Sequence, residues 1–152
     1  MSSYYLNTLI VRGADVHLFL EACKGVTPKH EDMKESLTEK EFTFQGIVPV
    51  PVMVDGQKWQ MLHWGTISDA KFVCIREEEE STVILFETDR NPPLMWLRKA
   101  IELFPQLDFE LSYVEDREGM AGEFCCKKGV LEDICYERCK NEIQYQEFAS
   151  GL

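Results

Sequence analysis

The chain has 152 residues, 45% of them hydrophobic, and 27 acidic against 16 basic residues give a formal net charge of −11. That length suits one domain able to bury a core unaided, and the apolar share excludes general disorder. No apolar run approaches the ~20 residues that cross a bilayer, and the acid surplus opposes the phosphate attraction behind most nucleic-acid binding.

Solubility is the plain reading of the acidity. The sharper one is mimicry, in which carboxylates imitate a polyanion in another protein's groove. The start of the chain pairs no basic stretch with a following apolar one, so a cytoplasmic location is expected. Reduced cysteines follow from that location.

Tyr4 to Val11 is β-branched and aromatic without Pro or Gly, and reads as a strand closed by Gly13. Asn7, Leu9 and Val11 fall on one face, so Asn7 needs buried partners and is expected to tie down a neighbouring loop. From Ala14 to Lys24, Val16, Phe19, Leu20 and Cys23 recur at helical spacing, with Asp15 near the start and Gly25 past the end. His17 falls on the solvent side. Val26 to Glu41 reads as a long polar connection with a short helix near Met33 to Leu37 and His30 at the surface. Phe42-Thr43-Phe44 starts as a short strand, which Pro49 and Pro51 stop from running on. This segment is expected to wrap the sheet edge. Asp55-Gly56 signals a turn.

The stretch from Met61 to Ala70 sets His63, Trp64, Gly65, Thr66 and Asp69 side by side. It reads as a turn-like segment, either a functional patch or a structural corner.

Lys71 to Arg76 and Ser81 to Thr88 alternate as two strands. Glu77-Glu78-Glu79-Glu80 joins them as a solvated turn, without the Asp-rich, Gly-centred spacing of a calcium loop. Asn91 and Pro92 suit the cap and first position of an amphipathic helix. Its inner stripe is Leu94, Leu97, Ile101 and Phe104, with Trp96 and Ala100 beside it, and Pro105 ends it. Asp108 to Glu115 is a strand, Gly122 to Cys126 and Val130 to Tyr136 form a final hairpin, and Glu137 to Phe148 forms a short helix. Cys23 and Cys74 read as small core residues. Cys125, Cys126, Cys135 and Cys139 lack the spacing of common zinc sites and read as ordinary thiols. No metal or other cofactor is expected.

The order of elements is that of a ferredoxin-like βαββαβ sandwich of the α+β class. It implies an antiparallel sheet with two helices on one face, an extra C-terminal hairpin from about residue 130, and a single domain over residues 1–152. The cysteine run that holds an iron–sulfur cluster is absent, so the name describes topology only.

Residues spread along the chain also resemble the YubB ferredoxin-like domain family of plasmids, phages and other mobile elements. They are Asn7, Leu9, Val11 and Gly13, then Phe42-Thr43-Phe44 with Ile47, Pro49 and Pro51. Trp64-Gly65-Thr66 followed by Asp69-Ala70 matches the family's Asn-Trp-Gly-Thr-Lys-Trp-Asp-Ala. Phe86, Thr88, Pro92-Pro93, Phe104-Pro105, the run Phe109 to Tyr113, Gly119 and Ala121-Gly122 follow in order. His63 replaces the family's Asn, Ile67 and Ser68 replace its Lys and Trp, and Asp89-Arg90-Asn91 stands where a Trp is usual. The resemblance implies a fold and a genomic setting, and no activity.

The expected function is therefore that of a non-enzymatic interaction protein of a mobile genetic element. It would act on a host factor or defence system through its acidic surface, with Trp64, Tyr113 and Arg90 as anchors. The alternative is a small-molecule or nucleotide binder of the sponge type. Its pocket would lie where His63, Trp64, Thr66 and Asp69 meet the loop Asp89 to Asn91, near the double-proline bend. A hydrolase using His63 and Asp69 ranks last, because no nucleophile motif accompanies them. A protein partner is expected, not nucleic acid or a membrane. A homodimer through a sheet edge fits the fold.

Overall fold

The computed structural model describes residues 4–28, 37–52 and 55–151. Its elements run β1 (Tyr4–Arg12), α1 (Val16–Ala22), β2 (Gly25–Pro28), β3 (Leu37–Lys40), α2 (Gly56–His63), β4 (Lys71–Glu77) and β5 (Ser81–Asp89), followed by α3 (Leu94–Leu103), β6 (Asp108–Glu115), β7 (Met120–Lys127), β8 (Val130–Glu137) and α4 (Glu142–Ser150). One antiparallel sheet carries six strands in the order β4-β5-β1-β6-β7-β8. Its first four strands, with α1 and α3, make up the expected βαββαβ unit. The C-terminal hairpin β7–β8 continues the same sheet.

Alternation sets the layers. On β1, Tyr5, Asn7, Leu9 and Val11 are buried, while Leu6 and Thr8 point the other way and keep some exposure. The two predicted helices share the buried face. Phe19 of α1 stands 6.2 Å from the Trp96 ring of α3 and 5.4 Å from Phe109 of β6. Burying such rings supplies most of the core's stabilisation. The Asn7 side chain is partnered through its NH2, which donates to Thr88 Oγ1 at 3.0 Å, while its Oδ1 has no partner among the described residues; the Thr88 hydroxyl donates to the Asn91 carbonyl at 2.7 Å. That relay ties the β5–α3 loop to the central strand, as the buried position demanded.

Several expectations are corrected. Phe42-Thr43-Phe44 is no strand. Thr43 is extended, and Phe44–Gly46 makes a 3-10 turn in which the Gln45 amide donates to the Thr43 hydroxyl at 3.2 Å. The Phe42 and Phe44 rings enter the core between the sheet and α3, 5.3 Å from Phe86 and 4.9 Å from Trp96, so the segment covers a face, not an edge. A short hairpin, β2–β3, occupies part of the polar connection. His30 and residues 33–36 of the expected short helix lie outside the described residues, and Leu37 begins β3. Asp55 caps α2 instead of a turn, accepting from the Lys58 amide at 3.4 Å. The inner stripe of α3 centres on Trp96, Leu97 and Ala100, with Leu94 and Ile101 at its margins. Asn91 is not its cap; Pro93 holds that position. Cys74 is exposed, because a bulge between Lys71 and Cys74 shifts β4.

The second face of the sheet is only partly covered. α4 packs on β7 and β8, where Tyr145 is buried beside Val114 and Ala121. Over β4, β5 and β1 none of the helices among the described residues packs on that face. Among the described residues no helix is long and apolar enough to cross a membrane.

Candidate functional site

The stretch that stands out in the sequence folds into a corner at the end of α2. The Trp64 amide closes the helix on the Gln60 carbonyl at 2.7 Å. Gly65 then takes φ +86°, a conformation that glycine adopts freely, and an added Cβ would stand 3.1 Å from the Met95 amide. The Trp64 ring is buried against Phe44 at 5.4 Å, and its Nε1 donates to the Val48 carbonyl at 2.8 Å. Thus the corner does meet the double-proline segment. The Trp64 carbonyl in turn accepts from the Trp96 amide at 3.1 Å, which pins α3.

The polar groups that follow are held in the same way. Thr66 donates its hydroxyl to the Asp89 carbonyl at 2.7 Å, and Ser68 Oγ accepts from the Asp89 amide at 2.9 Å. The Asp69 carboxylate accepts from the Thr43 hydroxyl, and from the Phe44 and Ala70 amides at 2.8 Å each. Asp89 pairs with Lys71 at 2.6 Å. His63 is exposed and stacks on Trp59, with ring centroids 4.4 Å apart, rather than meeting Asp69. Arg90 is exposed at φ +73°. The structure therefore gathers His63, Trp64, Thr66, Asp69, Asp89 and Arg90 at one corner, and most of their polar atoms serve the fold.

Tyr113 stands apart, across β1 on β6. It faces Asn7 on one side and Gly122 on the other. Its hydroxyl lies over Gly122, where an added Cβ would collide with it and stand 2.5 Å from the Ile134 carbonyl. Burial, and then the charge of the neighbouring Cys135, push the Tyr113 hydroxyl pKa up. Tyr5, ring centroid 5.8 Å away, is pushed up to about 12 by burial and by Glu115.

Sequence reasoning missed a second region, the groove beside α4 on the open face. Leu6, Thr8, Phe72, Leu85, Glu87 and Ala149 line a depression of about 470 Å³. Leu6 and Leu85 are 48% and 44% exposed, and Phe72 is 81% exposed at φ +53°. A bulky side chain rarely takes that backbone region, and such strain persists only where the surroundings impose it. Glu87 forms no hydrogen bond or ion pair among the described residues. The one sequence signal was the apolar share of the second face of β1 and β5. The four cysteines near the C-terminus split into buried Cys125 and Cys126 and exposed Cys135 and Cys139. Among the described residues no group of three or more His, Cys, Asp or Glu could hold a metal ion.

Topology and core together define a ferredoxin-like α+β domain. Residues 67–151 match the family model described as the ferredoxin-like domain in Api92-like protein, and the chain belongs to that family. The crystal structure of the protein api92 from Yersinia pseudotuberculosis is similar, with a TM-score of 0.63 over 90% of this chain and 98% of that one. At 10% identity this likeness shows the fold alone. No curated protein matches the chain.

Proposed function

We propose that the protein is a non-enzymatic interaction module that engages a protein partner through the open face of its sheet. One observation carries this reading. Large apolar side chains stand exposed on the rigid strands β1, β4 and β5, beside the half-buried, unpaired carboxylate of Glu87. Contiguous exposed apolar surface of this kind marks interaction sites. In this reading the module serves a phage or plasmid and acts on a host factor or defence system in the cytoplasm. The small size, the acidity and the resemblance to the YubB family support that setting. The nucleotide-binding and hydrolase readings draw on the Trp64 corner, where Thr66 and Asp69 are already bonded within the fold. A homodimer built by edge pairing would use β8, since a bulge breaks the other edge, β4.

Affinity capture from host cells tests the module, with Leu85→Asp as the comparison. Leu85 is 44% exposed, so the variant is expected to fold. A partner held by the wild type and lost by Leu85→Asp supports the reading. A partner retained equally by both overturns it.

A further inference from the structure

The groove's shape and charge say what kind of partner it takes. On this face α4 packs on β7 and β8, and none of the helices among the described residues packs on β1, β5 and β4. Three neighbouring strands about 4.8 Å apart span roughly 10 Å between their outer members. That is about the width of one α-helix with its side chains. α4 shows how a helix lies here: Tyr145, Phe148 and Ala149, spaced as one helical face, turn toward the sheet. The floor of the vacant strip is apolar, through Leu6 and Leu85, and the Phe72 ring rises at its margin.

Charge narrows the choice further. Glu87 lies in the groove with no ion pair among the described residues, because Lys71, its register partner on β4, is held by Asp89 at 2.6 Å, and the carboxylate of Asp116, also lining the groove, accepts from the Tyr145 hydroxyl at 3.2 Å. By register Glu123 stands on the same face, opposite Ser112 in the row that holds Thr8. Carboxylates beside an apolar floor repel nucleic acid. They would also set like charges against each other if two copies met face to face.

We propose, on the strength of the interaction reading above, that this groove receives the apolar side of a lysine- or arginine-bearing amphipathic helix from the partner protein. Apolar anchors at i, i+3, i+4 and i+7 would pack on Leu6, Leu85 and Phe72. Basic side chains flanking that stripe would meet Glu87 and Asp116.

Fluorescence anisotropy with a labelled leucine–lysine peptide of about 18 residues, long enough to be helical, tests the inference on the full chain. Two controls are a scrambled peptide of the same composition and one with glutamate for lysine. The striped peptide is expected to bind, and each control to bind at least roughly tenfold more weakly. Leu85→Asp and Glu87→Lys should each weaken the striped peptide by a similar factor. Phe72→Gly gives a third variant that does not burden the fold, and circular dichroism confirms that each variant is native. Equal binding of the scrambled peptide, or of all the variants, would overturn the proposal. So would a dimer in sedimentation velocity that Leu85→Asp abolishes, which would assign the groove to a second copy. If the peptide fails while Leu85→Asp still loses a captured host protein, the helix inference falls and the interaction reading stands. If both fail, both fall.

Discussion

The Trp64 corner and the groove beside α4 treat their side chains in opposite ways. In the corner, the central groups are enclosed, with His63 and Arg90 exposed at its rim: Trp64 is 1% exposed, Thr66 is wholly buried, and the Asp69 carboxylate accepts from the Thr43 hydroxyl and the Phe44 and Ala70 amides. In the groove, Phe72, Leu85 and Glu87 have no such engagement. A stretch rich in aromatic and polar residues is thus used to join α2, α3 and β5. The exposed apolar surface lies instead on strands whose sequence looks ordinary. Chemical variety in a short segment signals demand for hydrogen bonds, and a corner between elements has that demand as surely as an active site does.

Substitutions on the two sides should separate sharply. The largest effect is expected from Trp64→Ala, which removes a buried ring and its bond to Val48. It should cost about 3–5 kcal/mol in urea denaturation, against less than about 1 kcal/mol for the half-exposed Leu85→Ala. Equal losses would erase the contrast. Gly122→Ala extends the comparison to a third place, where a methyl has no room under the Tyr113 hydroxyl. A loss of about 1–3 kcal/mol is expected from overpacking, and an unchanged midpoint would show that the ring moves aside freely. Thr66→Val keeps the shape and removes the donor to the Asp89 carbonyl, for about 1–2 kcal/mol. If it is neutral, that bond does not hold the corner.

Alkaline pH probes the closed side from another direction. Tyr5 is held at about 12 in the folded chain against an ordinary value of 10.0. Its folded value is raised, so the stability it contributes is complete below about pH 10 and drains away as pH rises toward 12. Urea midpoints should fall across that window, and Tyr5→Phe should flatten the fall. An unaltered slope in the variant would contradict the assignment. The smallest effect has the opposite sign. Phe72→Gly relieves a positive φ and should gain up to about 1 kcal/mol. A loss instead would mean that the ring packs on the fold.

Much of this architecture was legible because local pattern and tertiary role agree. The alternation of Tyr5, Asn7, Leu9 and Val11 announced a half-buried strand, and the glutamate run announced a solvated hairpin. The lone buried Asn7 correctly implied a tether to a loop. The sequence pattern of α2 concealed it, since none of its residues is buried and no apolar stripe forms. The dipeptide Asp55-Gly56 looks the same before a helix as in a turn. Phe42 and Phe44 alternate like a strand, yet the Asp69 carboxylate draws their backbone into a turn.

The candidate site was legible only in part. Residues 63–69 and 89–90 meet because Thr66 and Ser68 bind the backbone of Asp89. Tyr113 belongs to another neighbourhood, and the pairing of Gly122 with it becomes visible only once β6 and β7 are in register. Of the groove, only the apolar share of the second face of β1 and β5 could be read. Whether a sheet face is covered depends on where α4 docks, and no strand sequence records that.

Hydroxyl-radical footprinting of the chain with and without the striped leucine–lysine peptide tests the division most directly. The account predicts that Phe72 and Leu85 lose reactivity on binding while Met61 and His63 keep theirs. Protection of Met61 and His63, with Phe72 and Leu85 unchanged, would place the binding surface at the tryptophan corner and contradict it.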